Sequence, residues 1–303
     1  MQRNIDNTKV SVIIPTFNRA ELLPRAIKSV LDQKFQDFEL IIVDDGSSDN
    51  TAEVVKDLQK KDERISFFSQ DNQGSAGARN FGIKNSKGEF IAFLDSDDEW
   101  LPQKLERQIE YLHRNREIKL VGCGSYDINS KTYEKRKFIP KTKTDSFKNG
   151  LIVFEIHSAS SVILRKDVLK KMELFDKKLR ISEDRDLWLR ILENGDEIGF
   201  VKEPLFNYYI HDSNIGSRDN YLKKIDCFKY LAEKHQDRFP LVASRLLRNV
   251  GTFYVLNDEK MKAISSFGKA IKKAPFVFRN YINLLLAMIS LRLYKRMYKK
   301  ICC

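Results

Sequence analysis

Cysteine is scarce in this chain. Its 303 residues include four, Cys123, Cys227, Cys302 and Cys303, with neither the paired spacing of a zinc site nor the density of a disulfide framework. A reducing compartment is the expectation. The amino terminus, Met1-Gln2-Arg3-Asn4-Ile5-Asp6-Asn7, is polar and lacks the apolar centre of a secretory signal. Long hydrophobic runs are missing as well. The best candidate, Ile282 to Leu291, is broken by Asn283 and Ser290 and falls far short of the roughly 20 apolar residues that a spanning helix needs. The chain is therefore expected in the cytoplasm, with a peripheral place on the inner face of the plasma membrane left open.

Two nucleotide signatures are also absent. No Gly-Lys-Ser/Thr follows the glycine-bearing stretch near Gly74, which excludes a Walker motif, and no G-x-G-x-x-G follows the first strand-like run, which excludes a dinucleotide fingerprint. A sugar-nucleotide pyrophosphorylase would need a Gly-rich basic loop after that run, where Pro15-Thr16-Phe17-Asn18 stands instead.

What is present is a globular composition, 42% hydrophobic and 32% charged, with a net charge of +12 that calls for an anionic partner: nucleic acid, anionic lipid or a phosphorylated substrate. The strongest basic run with apolar neighbours is Leu291 to Lys300. A nucleic-acid module would interleave aromatics with bases on a platform, so no nucleic acid is expected and a membrane surface is favoured.

From Val10 to Leu94, β-rich runs (Val10–Ile14, Leu40–Val43, Ile65–Phe68, Phe90–Leu94) alternate with helical stretches (about 20–33, 50–60 and 76–85). Strands apolar on both faces, separated by helices, predict a mostly parallel α/β sheet of Rossmann-like kind covered by helices. Ligands then sit at the carboxyl edge of the strands. Three polar groups fall on that rim: Pro15-Thr16-Phe17-Asn18, Asp44-Asp45-Gly46-Ser47 and Asp95-Ser96-Asp97-Asp98.

The pattern continues with a helix near 102–114, a strand near 120–122 and a Lys- and Thr-rich loop or short-hairpin insertion over about 125–149. A strand at 161–164, a helix at 183–193 and separate strands at 198–201 and 205–210 follow. Everything after Tyr221 reads as helix. Ala263, Phe267, Ala270 and Pro275 match the second half of a tetratricopeptide-like hairpin, yet one copy makes no solenoid. The expected division is 1–218 (a nucleotide-binding half, about 8–115, and an acceptor-side half, about 116–218) and a helical appendage, 219–303. Its basic end either lies on a membrane or packs as a core helix with a solvated tip.

Asp95 and Asp97 leave a buried strand at the ligand edge. Carboxylates two apart in extended chain point to opposite sides, so Asp97 is assigned to a metal while Asp95 meets the ribose or a metal-bound water. Oxygen ligands with a diphosphate select Mg or Mn over Zn. Asp98 and Glu99 are read as the cap of the next helix. Asp45 can accept a hydrogen bond from the imide N–H of a uracil-type base. At Gly74 to Arg79, small residues, a helix start and a guanidinium suit phosphate. Sugar transfer needs a base to deprotonate the acceptor hydroxyl; Asp184 is the first choice and Glu183 the second, both heading an amphipathic helix. His211 is placed against the departing diphosphate or its metal.

Together these segments resemble the family 2 glycosyltransferases. The resemblance is carried by Val10 to Asn18, Leu40 to Ser47, Asn72 to Gly82, Ile91 to Asp98 and Ser182-Glu183-Asp184, in the family's order, over about 8–215. It implies an inverting enzyme of GT-A fold, common in bacterial polysaccharide and lipopolysaccharide assembly, acting with Mn(II) or Mg(II). The implied donor is UDP-linked, with dTDP- and GDP-sugars in relatives, and the implied acceptor a glycan or lipid-linked glycan. The resemblance implies that Pro15, Thr16, Asp45 and Arg79 help hold the nucleotide, that Asp95 and Asp97 form the DxD motif and that Asp184 is the base; with the residues' own positions, the expected nucleotide set is Pro15, Thr16, Asn18, Asp45, Gly74, Arg79, Asp95 and Ser96, and the expected metal ligands are Asp97 and His211. No Gln-x-x-Arg-Trp motif occurs, which sets the chain apart from processive synthases.

Overall fold

The computed structural model describes residues 10–141, 148–211 and 221–302. Contacts divide the chain into two compact units, Met1–Lys143 with Ile152–Asp212, and Thr144–Leu151 with Ser213–Cys303.

The first unit opens with alternating strands and helices: β1 (Val10–Thr16), α1 (Leu23–Leu31), β2 (Phe38–Asp44), α2 (Thr51–Gln59), β3 (Ile65–Ser69), α3 (Gly74–Asn85) and β4 (Phe90–Phe93). β5 (Glu99–Trp100), α4 (Lys104–Arg114), β6 (Ile118–Asn129), β7 (Lys135–Phe138), two 3-10 turns, β8 (Ile163–Arg165), the short α5 (Lys166–Leu169), α6 (Glu183–Glu193) and β9 (Glu197–Ile210) follow.

One sheet runs β3-β2-β1-β4-β8-β6-β9-β5, with β7 beside β6. β1 pairs in parallel with β2 and β4, β2 with β3, and β6 with β9, while β8, β5 and β7 pair antiparallel. β1 and β4 are buried along their whole length, as strands covered by helices on both faces must be. The register sets Thr16 opposite Asp44, so β1 and β2 end together on the rim that carries the polar groups.

One open reading is resolved and two are corrected. β6 runs through Asn129 and turns back into β7, so the insertion is a hairpin up to Phe138; residues 142–147 lie outside the described residues. The runs at 198–201 and 205–210 form one strand, β9. It passes Pro204 at a register shift opposite Gly124, where a missing N–H is tolerated. Asp98 and Glu99 do not cap α4, whose N-cap is Gln103 without a side-chain bond. Asp98 is fully buried and Glu99 begins β5.

The second unit comprises α7 (Tyr221–His235), α8 (Pro240–Leu256), α9 (Lys260–Lys273), α10 (Phe278–Ile289) and α11 (Leu291–Cys302). Ala263, Phe267 and Ala270 of α9 are fully buried. A Cβ at Gly251 would lie 2.4 Å from Phe267 Cε1, so only glycine lets α8 and α9 approach this closely. Among the described residues, no helix is long and apolar enough to cross a membrane.

Candidate active site

Each rim segment has a local reason to hold its shape. Asn18 sits in the left-handed region at φ 51°, which asparagine tolerates. Its N–H donates to Ser47 Oγ (2.8 Å) and its Oδ1 accepts from Ser48 N (2.8 Å), clamping the end of β1 to the β2–α2 turn. Asp44 accepts from Ser47 N at 3.0 Å inside that turn.

Asp45 is buried, and its carboxylate accepts from Gln70 Nε2 (2.7 Å), Gln73 N (2.9 Å) and Gly74 N (2.7 Å). The anion favoured at the start of α3 is thus supplied by the protein itself. The expected phosphate at this helix start is therefore displaced: the Gly74 amide is committed to Asp45, and Gly74 serves by its positive φ of 82°.

Arg79 corrects the expectation that its guanidinium reaches phosphate. It is 5% exposed, and it donates to Glu183 Oε1 (2.5 Å) and Asp95 Oδ1 (2.6 Å). One buried arginine therefore ties the loop after β4 to the head of α6, segments with no local reason to meet. Although burial lowers an arginine's pKa, Asp95, Glu183 and Asp184 raise this one above its ordinary value. Ser75 Oγ adds a 2.6 Å bond to Glu183.

The acids of Asp95-Ser96-Asp97-Asp98 have different surroundings. Burial pushes the Asp95 carboxyl up, against the pull of Arg79 and with the push of Asp97. Burial acts on Asp97 in the same sense, but a hydrogen bond from His211 and the charges of His211 and Arg19 hold it below the ordinary carboxylate range. Asp97 Oδ2 and His211 Nε2 are 3.0 Å apart. Asp98 accepts from Ser160 Oγ (2.6 Å) and Tyr209 N (3.2 Å), and burial with the charges of Asp97 and Asp95 raises its pKa well above the usual value.

Glu183 and Asp184 divide just as sharply. Glu183 is 7% exposed and engaged with Arg79 and Ser75. Asp184 is half-buried and accepts a 2.7 Å bond from Arg185 N. Its carboxyl is raised, first by burial and then by Glu183, with Arg185 and Arg79 opposing. A half-buried carboxylate of raised pKa is the better proton acceptor. Thr16 Oγ1, at the end of β1, is a buried hydroxyl with no hydrogen-bond partner among the described residues. Pro15 is buried beside it, and Ser96 lies between the two acids of the motif.

Three residues escaped the sequence reading. Ser160 Oγ accepts from Asp95 N (3.0 Å) while donating to Asp98, so it orients the acidic loop; no motif marks it. Arg19 follows Asn18 directly and acts on Asp97 by charge, and its place next to a rim segment was a usable signal. Arg180 packs on Gly74, where an added Cβ would meet its Nη1 at 2.5 Å.

Two donors, Asp97 and His211, are a fit for a divalent cation that takes its remaining ligands from a diphosphate and water, as Mg²⁺ and Mn²⁺ do. Among the described residues, no group of three or more His, Cys, Asp or Glu forms a protein cage.

Comparison with known proteins identifies the family and the fold. The family model described as glycosyl transferase family 2 matches residues 11–172. A glycosyltransferase of Methanocaldococcus jannaschii is 34% identical over 229 residues, 74% of this chain and 77% of that protein. The GalNAc(5)-diNAcBac-PP-undecaprenol β-1,3-glucosyltransferase of Campylobacter jejuni is 44% identical over 142 residues, 44% of this chain and 46% of that protein. Among solved structures, S. aureus TarS 1-349 in complex with UDP-GlcNAc matches with a TM-score of 0.69 at 20% identity, covering 96% of this chain and 92% of that one. The fold is GT-A. With over half of its length matched by the family model, this chain belongs to glycosyl transferase family 2.

Proposed function

We propose that this glycosyltransferase moves a sugar from a UDP-linked donor to a hydroxyl of a glycan or lipid-linked glycan acceptor, with inversion, one residue per encounter, in cell-surface polysaccharide assembly. The observation that carries the reading is the Arg79 bridge from Asp95 to Glu183. It joins the loop after β4, whose acids would face a nucleotide diphosphate on this reading, to the head of α6, which would bear the base. Support for the donor comes from TarS binding UDP-GlcNAc and for a lipid-linked acceptor from the Campylobacter relative's name. The absence of Gln-x-x-Arg-Trp supports a non-processive enzyme.

In this mechanism Thr16, Asn18 and Asp45 shape the nucleotide end, with Asp45 acting through the turn it holds. Asp95 is turned by Arg79 and Ser160 toward the ribose. Asp97 and His211 would hold Mn(II) or Mg(II), which when bound would supply positive charge at the diphosphate. Asp184 accepts the proton of the acceptor hydroxyl as its oxygen attacks the anomeric carbon and the bond to the diphosphate breaks. Glu183 keeps Arg79 in place. A single displacement of this kind inverts the anomeric centre.

The test is a donor panel of UDP-, dTDP- and GDP-sugars with manganese, scored by donor hydrolysis and thermal shift. The expected result is hydrolysis and stabilisation with a UDP-sugar. Silence from every donor overturns the reading.

A further inference from the structure

In α10 the amphipathic pattern is turned inside out. Phe278, Tyr281, Ile282, Leu285, Met288 and Ile289 are all exposed, Leu285 by 58% and Phe278 by 74%. They recur at the three- and four-residue spacing of a single helix stripe. The buried side is anchored by a polar residue. Asn280 is fully buried, and its Nδ2 donates to Ser244 Oγ at 2.8 Å and to Ala270 O at 3.3 Å. Since burying an amide without partners is costly, these bonds fix the rotation of α10, and the apolar stripe has no choice but to face outward. Beyond Ser290, which ends the helix, α11 adds Leu293 and Met297 to the exposed apolar surface, with Arg292 and Arg296 exposed next to them.

Charge is segregated onto the same part of the chain. From Lys260 to Cys303 there are 11 Lys and Arg and no Asp or Glu, while the preceding 259 residues carry 43 Lys and Arg against 42 Asp and Glu. Nearly all of the net +12 thus belongs to the last three helices, and six of these eleven cations, Arg279, Arg292, Lys295, Arg296, Lys299 and Lys300, belong to the two that expose the apolar stripe. Exposed apolar patches of this extent mark interaction sites, and this one needs a partner that is apolar and negatively charged together. A second copy fails that requirement, because a two-fold contact through this face would gather the cations of both copies, Arg279, Arg292 and Arg296 among them, in one interface to which neither α10 nor α11 brings an acid. An anionic lipid bilayer meets it, with acyl chains under the stripe and headgroups against the arginines.

We propose that the α10–α11 surface docks the enzyme on an anionic membrane, with α10 lying in the interface and its Phe278-to-Ile289 stripe toward the acyl chains. This deepens the proposed function, resting on it only for the idea that a lipid-linked acceptor is delivered there.

The experiment is flotation of the full chain with vesicles of phosphatidylcholine containing about one third phosphatidylglycerol, beside pure phosphatidylcholine vesicles. The expected result is binding to the anionic vesicles, weakened by salt. Binding should fall about tenfold or more in Ile282→Asp/Leu285→Asp, and likewise in Arg292→Glu/Arg296→Glu. Both variants change exposed residues outside the catalytic machinery and should keep the wild-type melting temperature and donor hydrolysis. Three results would overturn the proposal: no binding to anionic vesicles, binding that both double variants retain, or a dimer that the aspartate pair dissociates in a protein that ignores vesicles. Because flotation uses no donor or acceptor, failure of docking and failure of the transferase reading are separate outcomes.

Discussion

Asp97 Oδ2 lies 3.0 Å from His211 Nε2, across 114 residues of chain. β5 makes this contact possible, because its pairing of Glu99 with Asn207 draws the acidic loop toward the end of β9. The pair forms a donor set of one carboxylate and one imidazole that suits manganese. Asp97→Ala should abolish transfer and the manganese-dependent part of UDP binding. His211→Ala should weaken that binding about tenfold or more without unfolding the chain. Calorimetric titration of UDP with and without manganese checks both. UDP binding by Asp97→Ala that still responds to manganese at wild-type strength would remove the pair from this role.

Arg79 should tolerate no replacement. Its two carboxylate partners accept separate N–H groups at 2.5 and 2.6 Å, a fork that a lysine ammonium cannot reproduce. Arg79→Ala would leave Glu183 buried beside Asp95 without a counter-charge, a loss on the order of 3–5 kcal/mol. Arg79→Lys should recover part of the stability but little of the activity, since one ammonium holds one acid and frees the other. Denaturant melts together with initial rates measure the two effects, and wild-type kinetics in Arg79→Lys would refute the bridging role.

Which of these features the sequence could disclose follows from the range of the forces involved. β1 to β4 and their helices were legible because burial on both faces leaves an unbroken apolar run, and their ends were legible because polar residues stop each run. β9 was split by Lys202-Glu203-Pro204, whose continuity depends on pairing with β6 rather than on its own pattern. Asp98 and Glu99 looked like a helix cap because a carboxylate before a helix usually is one. Their partners, Ser160, Tyr209 and Asn207, lie at least 61 residues beyond them in chain number, out of reach of local reading. The Arg79 bridge was hidden for the same reason: both acids were picked out, but a basic residue at a helix start suggests phosphate before it suggests a buried clamp. The outward stripe of α10 depends on Asn280, and nothing in an apolar periodicity says which side of it is inside.

Ser160 is the least conspicuous member of the site and gives a clean test of how the acidic loop is held. Its hydroxyl accepts from Asp95 N and donates to Asp98 Oδ2. Ser160→Ala removes both bonds and leaves a buried amide and a buried carboxylate short of a partner, at about 1–3 kcal/mol. The cost in rate should exceed that of an ordinary core substitution because Asp95 is displaced. Ser160→Thr keeps the hydroxyl and should restore activity further than Ser160→Ala does. Thermal denaturation and kcat/KM for the two variants measure this, and equal rates in both would assign Ser160 to packing alone.

Asp184 and Glu183 are neighbours with opposite fates, and pH separates them. Burial followed by the charge of Glu183 raises the Asp184 carboxyl above its ordinary 3.8. If Asp184 is the proposed base it is inactive when protonated, so kcat/KM should fall as pH drops through this raised value, giving an acidic limb above the range of a solvated aspartate. The same shift has a stability consequence of defined sign. Between 3.8 and the raised value the native state binds the proton more than the unfolded chain does, so the contribution of Asp184 to stability is present at low pH and is lost as pH rises through the folded value. Asp184→Asn should therefore abolish transfer, retain UDP affinity, and gain stability relative to wild type toward neutral pH. Glu183→Gln should instead lower stability by weakening its pairing with Arg79, and the residual activity should keep the acidic limb. Pairing pH–rate profiles with melting temperatures at acid and neutral pH decides the assignment. Transfer at the wild-type rate by Asp184→Asn, or an acidic limb that disappears in Glu183→Gln, would move the base from Asp184.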